Sequence, residues 1–190
     1  GTGTRFWPAS TKAKPKQLLP LVSNAALLVE AVDRITGLVG RERILVVTSQ
    51  ALRGAVARAL PRLPRKNILA EPERKDTAAA IAWATLVVEQ RFGPSVMAVF
   101  PSDHFIHPVA AFHAAVRTAV DEAACQPCLY TFGVAPTHPA TGYGYIEQGA
   151  RLDVDSALEH HAVARFVEKP AASRAAEMIG AGSFLWNSGM

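Results

Sequence analysis

Four short stretches of this 190-residue chain carry side chains suited to holding phosphate or a metal ion. The opening Gly1-Thr2-Gly3-Thr4-Arg5 offers two positions without side-chain bulk, where backbone N–H groups can approach a phosphate. It adds two hydroxyls and an Arg able to bind phosphate oxygens in bidentate fashion. Its spacing is neither G-x-x-x-x-G-K-S/T nor G-x-G-x-x-G, so alone it also reads as a flexible terminal loop. Lys16 follows the rigid Pro15, and Lys169 stands between Glu168 and Pro170; taken singly, each lysine reads as a solvated surface residue. Asp103, in Pro101-Ser102-Asp103-His104, follows the wholly apolar run 96–100. A carboxylate fixed at a strand end suits Mg2+, which binds through one or two carboxylates together with substrate phosphates and water. Capping of the next helix is the competing use of that position. Together Arg5, Lys16, Lys169 and Asp103 are the set needed to hold several phosphates and a metal.

Other candidate ligands are weaker. Cys125 and Cys128 form a C-x-x-C pair, but redox pairs of this kind sit at a helix start after a strand, whereas this one follows a helical pattern and precedes a strand-like one. A zinc site needs four ligands, and no second pair lies at the usual spacing. Reduced thiols in a helix-to-strand turn are the reading adopted. His104, His107 and His113 cluster in sequence and His160 adjoins His161, yet no helical i, i+4 pairing or separate carboxylate completes a metal triad.

Composition limits the class. Hydrophobic residues make up 49% and charged residues 19%, which fits a domain able to bury a real core rather than a disordered or fibrous segment. No apolar run approaches the roughly eighteen residues of a membrane span, and the first residues do not resemble a signal peptide; a soluble, cytoplasmic protein is expected, with no membrane partner. The net charge of +4 gathers partly at Arg5, Lys12, Lys14 and Lys16, a local patch that could serve nucleic acid or a small phosphorylated ligand. Lack of interleaved aromatics and of a helix-turn-helix argues against nucleic acid.

These side chains need elements to position them. Apolar spacing predicts helices over 24–35 and 52–60, and strands over 44–48 and 67–70. Asp76 is expected to cap a long helix over 77–92, ended by Gly93-Pro94. Residues 96–100 read as a strand buried on both faces, followed by a helix over 110–124 and a strand over 129–134. Beyond Pro136 the texture changes: strands are expected over 143–147 and 163–168, and a short helix over 173–179 capped by Ser173. Strand and helix in alternation call for a sheet with helices on its faces. In such sheets ligands bind beyond the carboxyl ends of strands, where the stretch from Glu71 to Asp76-Thr77 and the Ser102-Asp103 turn fall.

The segments together resemble, in order, the motifs of mannose-1-phosphate guanylyltransferases, within the sugar nucleotidyltransferases. GTGTRFWPAS is similar to the end of L-A-G-G-x-G-T-R-x-W-P-x-S, KPKQLLPL to P-K-Q-F/L-L-P-L, and EPERKDTAAAIA to E-P-x-x-x-N-T-A-P-A-I-A. FPSDHFI resembles L-P-S/A-D-H-x-I, FGVAPTHPATGYGYIE resembles F-G-I-x-P-T-x-P-E-T-G-Y-G-Y-I-E, FVEKP resembles F-x-E-K-P, and FLWNSGM resembles Y-L-W-N-S-G-M. Seven motifs in fixed order cover nearly the whole chain, and the ordered set is far more specific than any one of them.

The resemblance implies an α/β fold with a Rossmann-like mixed, mostly parallel sheet and helices on both faces. It implies one incomplete catalytic domain, with a nucleotide-binding lobe over 1–135 and the start of a sugar-phosphate-binding lobe over 136–190. The implied reaction is Mg2+-assisted, in-line transfer of a guanylyl group from GTP to α-D-mannose 1-phosphate, giving GDP-mannose and pyrophosphate. By carry-over, Gly1, Thr2, Gly3 and Thr4 would wrap the triphosphate, Arg5 and Lys16 would neutralise it, and Asp103, beside Ser102, would bind the metal. Glu71, Asp76 and Thr77 would lie toward base and ribose. Lys169 and Glu168 would address the sugar phosphate, and Gly142, Tyr143, Gly144, Tyr145 and Asn187 would line the sugar pocket. Asp76, Ala79 and Thr11 stand where the family usually has Asn, Pro and often Arg. The segment starts inside the glycine signature and stops before the family's second metal-binding aspartate. It is therefore expected to be a piece of a longer protein, poorly active alone, with any homodimer formed through regions outside it. Another nucleotide or sugar 1-phosphate, or a non-catalytic regulatory paralogue, is the alternative assignment.

Overall fold

Leu27, Leu28, Ala31 and Val32 are buried on one face of helix α1 (Leu27–Ile35), as an apolar stripe of period 3.6 requires. The helix starts three residues later than the sequence pattern suggests, because Ala26 is still extended and gives no side-chain cap. This computed structural model describes residues 8–11, 15–73 and 75–190, which separate into two compact units dividing between Ala124 and Cys125. Among the described residues no helix is long and apolar enough to cross a membrane.

In the first unit, strands β1 (Val46–Ser49) and β2 (Ile68–Glu71) pair in parallel, in register from Val46 opposite Ile68 to Ser49 opposite Glu71. Helix α2 (Arg53–Ala59) makes the crossover between them, the connection that a parallel pair needs. Leu28, Val32, Ile44, Val56, Leu60 and Ile68 form the core they share. Helices α3 (Asp76–Phe92) and α4 (Val109–Cys125) follow. Gly93 ends α3 at φ 74°, a backbone setting that glycine adopts without a Cβ penalty.

Two expectations fail here. Residues 96–100 form no strand: they are apolar throughout, but a strand needs a hydrogen-bonded neighbour, and none pairs with them among the described residues. Instead Val96, Met97, Ala98, Val99 and Phe100 help to line a cavity of about 520 Å3, with Val46 and Thr48 of β1 and Ala80, Ile81 and Ala84 of α3 also on its wall. Asp76 does not cap α3. It is the first residue of the helix, at φ 62°, and Lys75 occupies the cap position without a side-chain bond; an N-cap side chain reaches the helix N–H groups from an extended backbone instead.

The second unit is an antiparallel sheet in the order β3 (Gly133–Val134), β6 (Phe184–Asn187), β4 (Gly144–Leu152), β5 (His160–Glu168). Helix α5 (Ala172–Ala181) packs on it through Ala175 and Met178, which join Tyr145 and Phe184 in a second core. The expected strand over 129–134 shrinks to two residues, since only Gly133 and Val134 find partners, in Asn187 and Trp186. Ser173 does not cap α5: it lies inside the first turn, behind the extended Ala171. The fold is thus mixed α/β, with a parallel pair in one unit and an antiparallel sheet in the other.

Candidate functional site

Lys16 opens a short 3-10 turn, Lys16–Leu18, behind Pro15. Its Nζ lies 3.1 Å from Asp103 Oδ2, so residues 87 apart in sequence meet in one ion pair. Both side chains keep about a third or more of their surface in water. Exposed pairs of this kind add little stability, which leaves the carboxylate and the ammonium available for exchange with other charged groups. Asp103 sits in the turn after segment 96–100, and Ser102 lies on the cavity wall with Thr77 and Gln17, polar exceptions on a mostly aliphatic surface.

The neighbouring backbone is held from below. Arg34, buried on α1, donates from Nη1 to the carbonyl of His104 at 3.2 Å, and its guanidinium lies 5.5 Å from the centre of the Phe112 ring. Burial lowers the Arg34 pKa, partly offset by Glu30. Burial also lowers the His104 pKa; Asp103 opposes that shift, and Arg34 and Lys16 add to it. The lowering favours the neutral imidazole of His104.

Glu71 ends β2, where Glu71, Pro72, Glu73, Lys75, Ala79 and Trp83 line a cleft of about 340 Å3. This cleft lies at the carboxyl end of a parallel strand and the start of α3, the place where open α/β sheets bind ligands. Asp76, next in the chain to Lys75, takes up its left-handed backbone there. Gly1, Thr2, Gly3, Thr4 and Arg5 lie outside the described residues.

In the second unit, Gly144 pairs with Glu168 across β4 and β5. A Cβ at Gly144 would come within 2.8 Å of Glu168 Oε2 and 3.6 Å of Asn187 Cβ, so the absence of a side chain lets the three residues converge. Asn187 Oδ1 accepts from Thr131 Oγ1 at 3.1 Å and from the Gly189 amide at 3.2 Å, which fixes the orientation of its amide. Lys169 has φ 43°, a strained value for a residue with a Cβ. Its amide donates to Tyr143 O at 3.2 Å, and its Nζ reaches Glu168 Oε1 at 2.7 Å. Gly142 has open space around it. Tyr145 is fully buried, its hydroxyl donating to Ala140 O at 3.0 Å, so its side chain steadies the loop from the core.

Trp186 in the second unit and Arg34 in the first each stand beside a candidate residue of their own unit without being singled out by sequence reasoning. Trp186 meets Tyr143 and His138 edge to face, at 5.1 and 4.9 Å between ring centres; its place beside Asn187 in FLWNSGM was the available signal. Arg34 had one too, as a cation within a helix of apolar pattern. Among the described residues no cluster of three or more His, Cys, Asp or Glu could hold a metal ion. One carboxylate such as Asp103 still suits Mg2+ when phosphates and water supply the other ligands.

Residues 1–190 match the family model described as nucleotidyl transferase. The chain is 41% identical to a mannose-1-phosphate guanylyltransferase of Klebsiella pneumoniae over its whole length, which is 40% of that protein. It is 43% identical to the xanthan biosynthesis protein XanB of Xanthomonas campestris pv. campestris, again over all of this chain and 39% of the relative. A solved structure named mannose-1-phosphate geranyltransferase, from Thermus thermophilus, superposes with a TM-score of 0.86 at 35% identity, covering 98% of this chain and 52% of the other. The chain thus spans about 40% of the length of these curated relatives.

Proposed function

The chain belongs to the nucleotidyl transferase family, and from that premise we propose that its residues serve guanylyl transfer from GTP to α-D-mannose 1-phosphate. A phosphate oxygen of the sugar phosphate attacks the α-phosphorus of GTP, the bond to the β-phosphate bridging oxygen breaks in line, and GDP-mannose and pyrophosphate result. Such a reaction asks little covalent chemistry of the protein and much charge neutralisation and alignment. Residues 1–135 take the nucleotide: Gly1, Thr2, Gly3 and Thr4 through backbone N–H groups, Arg5 and Lys16 through charge, and Glu71, Asp76 and Thr77 toward base and ribose. Residues 136–190 take the sugar phosphate, with Lys169 and Glu168 at its phosphate and Gly142, Tyr143, Gly144 and Asn187 around its ring, while Tyr145, expected there too, supports that loop from the core because its side chain is fully buried. Asp103, with Ser102 beside it, would hold Mg2+, which when bound offsets the negative charge of the phosphates.

The observation that carries this reading is the Lys16–Asp103 pair at 3.1 Å. A cation for phosphate and a carboxylate for metal stand together, exposed enough to exchange partners. Lys16→Ala and Asp103→Ala are each expected to lower turnover at least about a hundredfold, as removal of one preorganised charge stabiliser does. Coupled pyrophosphate release from GTP and mannose 1-phosphate measures it, and near-normal turnover in either variant removes the role assigned to that residue. Asp76 favours a second reading, a different base, because it adds negative charge beside the candidate nucleotide cleft. The same assay across four NTPs and several sugar 1-phosphates decides between them.

A further inference from the structure

We propose that Arg34 is a positioning residue for Asp103, holding from within the core the turn that presents this carboxylate. The inference rests on the reading of Asp103 as the metal-holding residue.

Arg34 is only 8% exposed, on a helix face otherwise carrying Leu27, Leu28, Ala31 and Val32. A leucine would fill such a place without the desolvation cost of a guanidinium. Arg34 Nη1 donates to His104 O, the carbonyl of the residue after Asp103. Its ring contact is with Phe112, itself edge to face with Phe100 at 5.5 Å. Arg34 is thus braced between the segment before Asp103 and the peptide after it. Its own carbonyl lies 2.6 Å from His113 Nε2, which ties α1 to α4. Nε has no hydrogen-bond partner among the described residues, so stability alone does not explain a guanidinium here.

Among the described residues, the direct hold on Asp103 is the half-exposed bond from Lys16. When Lys16 turns to a phosphate, that hold is released, and the carboxylate keeps its place only if its backbone is fixed. The Arg34 bond to His104 O provides that fix, from a guanidinium that is itself buried. Groups that orient a metal ligand from behind in this way change metal affinity about 10- to 100-fold when removed.

The test is Mg2+-dependent GTP binding, followed by calorimetry, with amide hydrogen exchange over residues 102–106. Arg34→Met, similar in volume and without a donor, is expected to raise the half-saturating Mg2+ concentration about tenfold and to speed exchange in that turn. In an Asp103→Asn background the same change should add almost nothing, because both act through one carboxylate. An unchanged Mg2+ dependence in a folded Arg34→Met protein, or full additivity with Asp103→Asn, overturns the proposal. If Arg34→Met does not fold, Arg34→Lys takes its place: a single-point donor holds the turn less firmly, so exchange over residues 102–106 should quicken and the half-saturating Mg2+ concentration should rise by less than about tenfold, and no change in either overturns the proposal. Absence of Mg2+-dependent GTP binding in the unsubstituted protein is a different result, which takes down the reading of Asp103 and this inference with it.

Discussion

Asn67 shows how much one polar side chain can organise in the first unit. It is completely buried, and its Nδ2 points at the carbonyls of Arg41, Glu42 and Ile44 at 2.9 to 3.1 Å while Oδ1 accepts from Arg91. Two N–H bonds are shared among three acceptors, and they fasten the 3-10 turn Arg41–Arg43 to the entry of both parallel strands. Asn67→Ala removes the partner of those carbonyls, of which the bond to Ile44 O is buried and the other two part-buried, and should cost on the order of 2 kcal/mol, read as a fall in urea midpoint; a loss below about 1 kcal/mol would mean water takes over the bonds. Asn67 was not legible in the sequence, and Arg34 only as a cation in an apolar helix pattern, because burial of a polar residue depends on which distant carbonyls it meets. Lys16 and Asp103 were legible as chemistry, being a cation behind a rigid proline and an acid after an apolar run. That they touch was not, since 87 residues separate them. Asp76 is legible as a helix-start residue, yet its φ of 62° belongs to backbone geometry that side-chain type only weakly constrains; Asn and Asp both tolerate it better than most.

At the scale of elements, periodicity located the helices well and the ladders less well. The pattern that marks α1 or α3 is set within the element, whereas a strand exists only with its neighbour. Residues 96–100 have the apolar content of a buried strand and no partner among the described residues, and Leu129, expected in a strand, is fully exposed. The cavity beside 96–100 gives α3 a testable property. Thr77, Ala80, Ile81, Ala84, Val88 and Phe92 form its lining stripe on this helix, and Ala84 is the buried member. Ala84→Leu extends three carbons into that space with little change in helix propensity, and at about 0.8 kcal/mol per buried CH2, less about 0.5 to 1 kcal/mol of side-chain entropy, should gain roughly 1.5 to 2 kcal/mol. Chemical denaturation with an unchanged m-value would register the gain; a loss would mean the wall is too rigid to accept the side chain.

For the whole molecule, the ordered motifs identified the family, and the model match across residues 1–190 bears that out. The change of texture beyond Pro136 suggested two lobes, and the described residues separate into two units between Ala124 and Cys125, within α4, whose pattern has no break. Each unit builds its own core: Leu28, Val32, Val56 and Ile68 in one, Tyr145, Ala175, Met178 and Phe184 in the other. Damage to one core should therefore remain in its own unit. Met178 is 1% exposed on α5 against Tyr145 and Phe184, so Met178→Ala should remove about 2 to 5 kcal/mol from the second unit. Native-state hydrogen exchange can follow both cores at once. Amides of β4 and β6 are expected to lose protection by that amount while those of Val56 and Ile68 keep theirs, since the mutation leaves their packing intact. Equal loss in both cores would show that the units unfold as one cooperative body. The sheet that gathers Gly144, Glu168 and Asn187 would then depend on the parallel pair for its stability.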